Sequence, residues 1–236
     1  MSNLAFIRVI VGVAALVIIS ACSSSTSPSN NNNNSSSTIV HPKVGSTFTD
    51  STYSRDTNLK IVASSGAIIV YTLTDTNATV GAKSNVFEFT STVDTLYFHY
   101  ESNGDVSNYA TFSVASISAG TEWVLLPAAS QQAVAVTPLN TFVTFDTIHL
   151  TGAATGSGSG TDVVATHSLS TEKTTLTVDA YSPVFMLHTY GTVNTSFAPS
   201  LGFITRNDQT TVGKLPAYNL NLTGGTYRFL IAYNLK

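Results

Sequence analysis

Histidine is the residue type in this chain best suited to bind a metal or to transfer a proton, and the chain has five histidines. His99, His149, His167 and His188 all lie in runs rich in β-branched and aromatic residues. A metal site usually draws two or three ligands from closely spaced positions, but no two of these histidines lie within ten residues of each other. We therefore expect no metal and no cofactor, with each histidine hydrogen-bonded within a β-sheet. His188 follows an apolar run, so its imidazole should need a polar partner.

Two aspartates have the spacing found at the start of a calcium-binding loop. Asp56 precedes Asn58 by two positions, and Asp75 precedes Asn77 in the same way. A calcium loop needs several closely spaced oxygen ligands and continues to a glycine and a distant glutamate. Neither segment continues in this way, so both are predicted to be Asx turns.

The remaining catalytic arrangements are weak. Glu88 and Glu101 are one pair that a fold could bring together for glycoside hydrolysis, and sequence alone cannot show this. The Gly-Ser-Gly-Ser-Gly segment at 156–160 has its serines out of phase with a nucleophile elbow, and it lacks the lysine of a phosphate loop. We expect no catalytic residues and no enzymatic activity.

Aromatic side chains make up 10% of the chain and could stack on sugar rings. Trp123, the only tryptophan, lies in a Glu-Trp-Val-Leu-Leu segment, where packing in a core is the favoured interpretation. Exposed and coplanar aromatic rings would instead favour carbohydrate binding.

Composition excludes several classes of protein. The chain of 236 residues is 43% hydrophobic and only 10% charged, with a net charge of -3. That apolar content excludes disorder of the whole chain. Ten basic against thirteen acidic residues disfavour nucleic-acid binding. A single cysteine excludes a disulfide scaffold, and the shortage of charged residues excludes a coiled coil.

The first 21 residues have the pattern of a secretory signal. Arg8 is their only charged side chain, and an unbroken apolar run follows at 9–19. Eleven helical residues span about 16 Å, which is too short for a permanent membrane span of about 30 Å. The length suits the apolar region of a signal peptide.

The end of this signal, Ile19-Ser20-Ala21-Cys22, resembles the lipobox of bacterial lipoproteins. The resemblance implies that Cys22 becomes the mature N-terminus and carries thioether-linked diacylglycerol and an N-acyl chain. Several acyl chains give stable anchoring where one would be marginal. By the sorting rule of that family, serine rather than aspartate at Ser23 implies the outer membrane.

The chain then divides into a tether and a folded domain. Residues 23–43 are nearly all serine, asparagine and threonine, so they cannot offset the entropy of ordering and are predicted to be disordered. The predicted organisation is a signal peptide at 1–21, the lipidated cysteine and tether at 22–43, and one domain at 44–236.

The domain is predicted to be all-β. Residues 86–90 alternate apolar and polar side chains, as half-buried strands do. The last strand does the same, with one shared face formed by Tyr227, Phe229, Ile231, Tyr233 and Leu235 and the opposite face carrying Arg228, Asn234 and Lys236. Runs at 67–73 and 96–100 are apolar on both faces and should be covered on both sides.

Turn signals recur about every 8 to 15 residues and give eleven to thirteen antiparallel strands in one domain. Asn103-Gly104-Asp105 is the best hairpin signal, and Gly224-Gly225 predicts another turn. Residues 152–162 are predicted to be a loop of small residues, and 127–135 are the only candidate for a short helix. A sandwich and an open, curved half-barrel sheet both fit this pattern.

Short motifs in this domain resemble a loosely defined group of bacterial outer-membrane lipoproteins of unknown function. They are Lys-Val-Gly-Ser-Thr at 43–47, Tyr-Glu-Ser-Asn-Gly-Asp at 100–105, Trp-x-x-x-Pro at 123–127 and Ala-Pro-x-x-Gly-Phe at 198–203. The pattern of short strand-like runs is also similar to that of half-barrel lipoprotein carriers, although the central helices of that family are not evident in this sequence. The resemblance implies no defined activity.

Two functions remain open. One is a membrane-anchored, non-catalytic binding or carrier module with an apolar concave surface for a hydrophobic ligand. The other is a surface-exposed structural or adhesive sandwich that contacts glycans or protein partners. An open half-barrel would favour the first and a closed double sheet the second.

Overall fold

The chain folds into β-strands, as predicted. The computed structural model describes residues 39–62, 66–80, 83–102, 104–114, 117–126, 133–143, 146–182, 186–216, 220–221 and 223–236. Within these residues there are thirteen strands and no α-helix, so no helix there is long and apolar enough to cross a membrane. The strands are β1 (Thr47–Arg55), β2 (Ala67–Val80), β3 (Lys83–Thr90), β4 (Thr95–Tyr100), β5 (Val106–Val114), β6 (Ile117–Leu126), β7 (Ala133–Val143), β8 (Asp146–Val164), β9 (His167–Ser182), β10 (Leu187–Ala198), β11 (Phe203–Leu215), β12 (Leu220–Asn221) and β13 (Gly224–Asn234).

All the strands belong to one open antiparallel sheet, so the half-barrel alternative is confirmed over the sandwich. Its order is β6-β5-β4-β3-β2-β1-β13-β11-β10-β9-β8-β7, with β12 beside β11. The edge strands β6 and β7 follow each other in the chain but are not joined in a ladder of the described residues. The sheet curls, since Cα atoms of β6 come within 8 Å of β7, β8, β9 and β10.

Aromatic rings fill the core inside this curl. The Phe203 ring is stacked on Phe48 with centroids 3.9 Å apart. The same ring lies 5.1 Å from Phe89 and 5.5 Å from Phe98. All four side chains are fully buried, and burial of such rings contributes about 1.5–3 kcal/mol each. The contacts join strands from both halves of the sheet, so they hold the curl.

The segment before β1 closes one end of the sheet. The Val40 backbone N–H donates to the Pro199 carbonyl at 2.8 Å, and the Tyr100 hydroxyl donates to the Gly202 carbonyl at 2.6 Å. Pro42 is buried in this junction. Packed chain therefore begins by residue 39, before the predicted domain start at 44.

The glycine-rich segment at 152–162 is not the predicted loop but part of the long strand β8. Its small residues permit a bulge between Gly156 and Gly158, and Gly158 has a φ of 90°. Beyond the bulge, the tip of the β8–β9 hairpin reaches β11, where Asp162 accepts hydrogen bonds from Thr205 at 2.6 Å and from Arg206 at 3.0 Å. The glycines therefore bend a strand rather than end one.

Three other local predictions need correction. Residues 133–135, placed in the candidate helix, begin β7, while 127–132 lie outside the described residues. Gly224 and Gly225 belong to β13 and pair with β11 instead of forming a turn. The run at 67–73 is covered on one face only, because Ile68 and Val70 are 62% and 48% exposed.

The hairpin between β4 and β5 is confirmed. Gly104 has a φ of 92°, and its N–H donates to the Glu101 carbonyl at 3.0 Å. Asn103 lies outside the described residues.

Candidate functional site

A polar cluster lies on the inner face of the sheet, where β1, β2 and β13 run side by side. Alternate residues of β1 face inward, so Phe48, Asp50 and Thr52 share this face. In the register of the sheet, Asp50 is opposite Ile69 of β2 and Leu230 of β13. Asp50 is therefore flanked by apolar residues on both neighbouring strands.

Arg228 is the centre of the cluster. Its Nε lies 3.1 Å from Asp50 Oδ2, and its Nη1 donates to the Tyr71 hydroxyl. The guanidinium carbon is 5.1 Å from the centroid of the Tyr71 ring, within the range of a cation–π contact. The side chains of Arg228 and Asp50 are only 13% and 3% exposed, so this is a buried ion pair.

The cluster extends to the surface through the turn between β3 and β4. The Tyr71 hydroxyl donates to Asp94 Oδ1 at 2.7 Å, and Arg228 Nη1 lies 3.9 Å from Asp94 Oδ2. The Asp94 side chain is 47% exposed. A chain of polar groups thus leads from solvent to the buried carboxylate.

Two buried atoms of the cluster have no hydrogen-bond partner in the described part of the chain. They are Asp50 Oδ1 and Thr52 Oγ1, at neighbouring inward positions of β1. Buried polar atoms are paired in the large majority of cases, so an unpaired one calls for an explanation. These two atoms make the cluster a candidate binding site.

Burial also changes the acidity of the cluster. Loss of water raises the pKa of Asp50 to about 6, and this outweighs the opposing effect of Arg228, while Asp94 raises it further. Burial likewise raises the pKa of the Tyr71 hydroxyl, although Arg228 opposes it. Arg228 therefore offsets only part of the cost of burying the carboxylate.

The sequence pattern missed this site because of a β-bulge. The register between β1 and β13 shifts between Thr49 and Asp50, so Ile231 has no residue opposite it on β1. One extra residue reverses the alternation of the strand. Arg228 and Leu230 face inward on one side of the bulge, and Tyr233 faces inward on the other. Tyr227 and Phe229, predicted to share a face with Tyr233, point outward.

Outward-facing aromatic rings form a second surface. Tyr53 and Phe229 are parallel within 6°, with ring centroids 5.9 Å apart, and the Tyr227 ring lies 5.7 Å from Phe229. Arg55 lies 5.9 Å from the Tyr227 ring centroid and binds both carboxylate oxygens of Asp208 at 2.9 and 2.8 Å. All three rings are half-buried, and with the fixed polar groups beside them they form a second candidate contact surface.

The histidines are placed in strands, as predicted. His99 Nδ1 lies 2.8 Å from Glu101 Oε1, and His188 Nε2 lies 3.1 Å from Asp179 Oδ1, so these two are hydrogen-bonded. His167 is exposed in β9, and only the strand position of His149 in β8 is described. No group of three or more metal-ligating side chains occurs in the described part of the chain.

The remaining candidate residues lie in two turns and around strands β3 and β4. Both Asx turns are confirmed, since Asp56 Oδ1 and Asp75 Oδ1 each accept from the N–H two residues later at 2.9 Å. Glu101 accepts from Lys83 at 3.4 Å, whereas Glu88 lies opposite Tyr97 in the ladder of β3 and β4.

The side chains of two residues singled out in the sequence, Trp123 and Cys22, lie outside the described residues. The backbone of Trp123 pairs with Asn108 between β5 and β6, whereas Cys22 lies outside them entirely.

Comparison with known proteins gives two solved structures of similar shape. A predicted lipoprotein of Parabacteroides distasonis matches with a TM-score of 0.46 and 10% identity, over 84% of this chain and 99% of that chain. A predicted exported protein of Bacteroides fragilis, with a YmcC-like fold, matches with a TM-score of 0.38 and 11% identity over the same shares. No protein-family model and no curated protein matches the chain. These similarities assign no activity and no ligand.

Proposed function

We propose that this protein is a lipid-anchored, non-catalytic binding or carrier module of the bacterial cell envelope, with its ligand on the inner face of the open sheet. The observation that carries the proposal is the buried cluster around Asp50 and Arg228, which keeps unpaired polar atoms beside apolar Ile69 and Leu230. Clefts that hold small molecules combine apolar walls with a few polar groups in this way.

The lipobox ending at Cys22 supports the anchor. Sixteen residues lie between Cys22 and the packed chain at residue 39, and a flexible chain of that length would have a root-mean-square span of about 22 Å. The domain would therefore stand clear of the lipid surface while remaining close to it. Ser23 supports the outer membrane as the site of anchoring.

Displacement of a hydrophobic fluorescent dye, 1-N-phenylnaphthylamine, tests the binding role. We expect saturable dye binding by the full chain, weakened when Leu230→Asp adds a carboxylate beside Asp50 on the inner face. Val212→Asp, at a position 47% exposed on β11, controls for the added charge, and urea unfolding of both variants separates lost binding from lost folding, since Leu230 is buried. Equal dye binding by both variants would argue against a ligand on the inner face.

A second candidate function is contact with glycans or protein partners through the outer surface. The parallel rings of Tyr53 and Phe229 favour it. Glycan-array binding that is lost in Tyr53→Ala and kept in Thr52→Val would favour this function over the carrier role.

A further inference from the structure

We propose that the polar cluster at Asp50 and Thr52 binds a hydroxyl-bearing polyol group, as found in a free sugar or in the sugar or glycerol headgroup of a lipid. The inference deepens the proposed function and rests on it. It names the part of the ligand that the inner face recognises.

The hydrogen bonding of Asp50 and Thr52 favours a ligand with hydroxyl groups. Asp50 is 2% exposed, yet its Oδ1 atom has no partner, and neither has the neighbouring Thr52 Oγ1. A carboxylate oxygen needs a donor, whereas a hydroxyl can donate or accept. A ligand with two hydroxyl groups could satisfy both atoms at once.

The net charge of the cluster favours a neutral ligand over an anionic one. The cluster holds the two carboxylates of Asp50 and Asp94 and the single guanidinium of Arg228. An anionic ligand would meet an excess of negative charge. A neutral donor such as a hydroxyl avoids this repulsion and can still donate to Asp50 Oδ1.

The neighbours of Asp50 favour a ligand that also has a carbon skeleton. Ile69 and Leu230 are opposite Asp50 on the neighbouring strands, and the face of the Tyr71 ring is nearby under Arg228. Apolar neighbours beside a polar cluster suit a polyol, whose carbon skeleton packs while its hydroxyls bond. Asp94 at the surface marks the end of the cluster that ligand would reach first.

Isothermal titration of the full chain, kept soluble by an amphipathic polymer, tests the inference with three probes. They are octyl glucoside below its critical micelle concentration, glucose, and octanoate at pH 7. We expect octyl glucoside to bind and octanoate, which has a carboxylate in place of hydroxyls, to bind much more weakly. Glucose binding as tight as that of octyl glucoside would identify a free sugar as the source of the polyol. Weaker glucose binding would identify a lipid headgroup.

Thr52→Val separates binding from folding. The variant removes one hydrogen bond to the ligand, which corresponds to about five-fold weaker binding of octyl glucoside. Because Thr52 Oγ1 has no partner among the described residues, the variant should unfold at the same or a higher urea concentration than the parent. Thr49→Val on the outward face of the same strand is the control and should bind as the parent does.

Two results would overturn the inference. One is equal affinity of the Thr52→Val and Thr49→Val variants for octyl glucoside. The other is octanoate binding as tight as octyl glucoside binding. If the fluorescent dye still binds the inner face in either case, the carrier role stands and only the ligand class is wrong. If the dye does not bind either, the proposed function fails as well.

Discussion

At the scale of single residues, the buried carboxylate of Asp50 is the feature with the clearest consequence. Burial raises its pKa from 3.8 to about 6 despite the ion pair with Arg228. Between these two values the folded protein keeps the proton that the unfolded chain releases. Unfolding therefore becomes easier as the pH rises through this window, and the stabilisation by the protonated carboxyl is present in full only below pH 4.

We predict that the free energy of unfolding falls by about 2 kcal/mol between pH 4 and pH 6 because of Asp50 alone. Asp50→Asn, which cannot ionise, should remove this part of the pH dependence. Arg228, Asp94 and Tyr71 face the same group and stay unchanged in the variant. Urea unfolding of parent and variant across this pH range checks the difference. Parallel pH profiles would show that Asp50 does not titrate in this window.

Sequence could predict some of these residues and not others. The Asx turns at Asp56 and Asp75 are local, since each depends on atoms two residues apart, and both were predicted. The cluster around Arg228 depends on three strands whose register is set by a bulge at Ile231. No local signal marks that bulge, so alternation alone assigned Tyr227 and Phe229 to the wrong face.

At the scale of elements, glycines decide how strands bend and where they meet. The run at 156–160 contains Gly158 with a positive φ, and the bulge beside it turns the β8–β9 hairpin toward β11. Composition led to the prediction of a loop of small residues here, which is wrong. It could not distinguish a bent strand from a loop, because both need the same residues.

Gly202 sets the junction between the first packed residues and the β10–β11 turn. A Cβ at this position would lie 2.1 Å from the Val40 carbonyl oxygen, and φ is 60°. We predict that Gly202→Ala lowers the free energy of unfolding by more than about 2 kcal/mol, because the Val40 backbone must move. Urea unfolding measures the loss, and faster proteolysis near residues 39–46 should accompany it.

Gly104→Ala is the matched control for this prediction. Gly104 also has a positive φ, of 92°, but nothing lies within 4 Å of the added Cβ. Only backbone strain remains, worth about 1 kcal/mol. Equal losses in the two variants would mean that the close contact with Val40 does not constrain the fold.

At the scale of the whole molecule, the all-β class and the strand number followed from alternation and turn spacing, which are properties of every segment. The choice between a sandwich and an open sheet did not follow. It depends on how β13 inserts between β1 and β11, which joins the two halves of the sheet through the last strand of the chain. Pairing between strands so far apart in the chain cannot be predicted from side-chain alternation or turn spacing, because both are local.

The proposed anchor gives a prediction for the whole protein in its cell. Cys22→Ser removes the acylated thiol, so we expect the chain to leave the membrane fraction and keep its signal sequence uncleaved at this position. Cell fractionation measures the location, and mass spectrometry of the N-terminal peptide detects the acyl chains of the parent. An unmodified Cys22 in the parent, or cleavage elsewhere, would contradict the anchor.

The most direct test of the binding role is mass spectrometry of what the purified protein carries. Solvent extracts of the parent and of the Leu230→Asp and Val212→Asp variants would be compared after separation from acyl chains attached to Cys22. We expect a non-covalent, hydroxyl-bearing ligand in the parent and in Val212→Asp, and its loss in Leu230→Asp. An identical extract from all three proteins, or no ligand in the parent, would contradict a binding site on the inner face of the sheet.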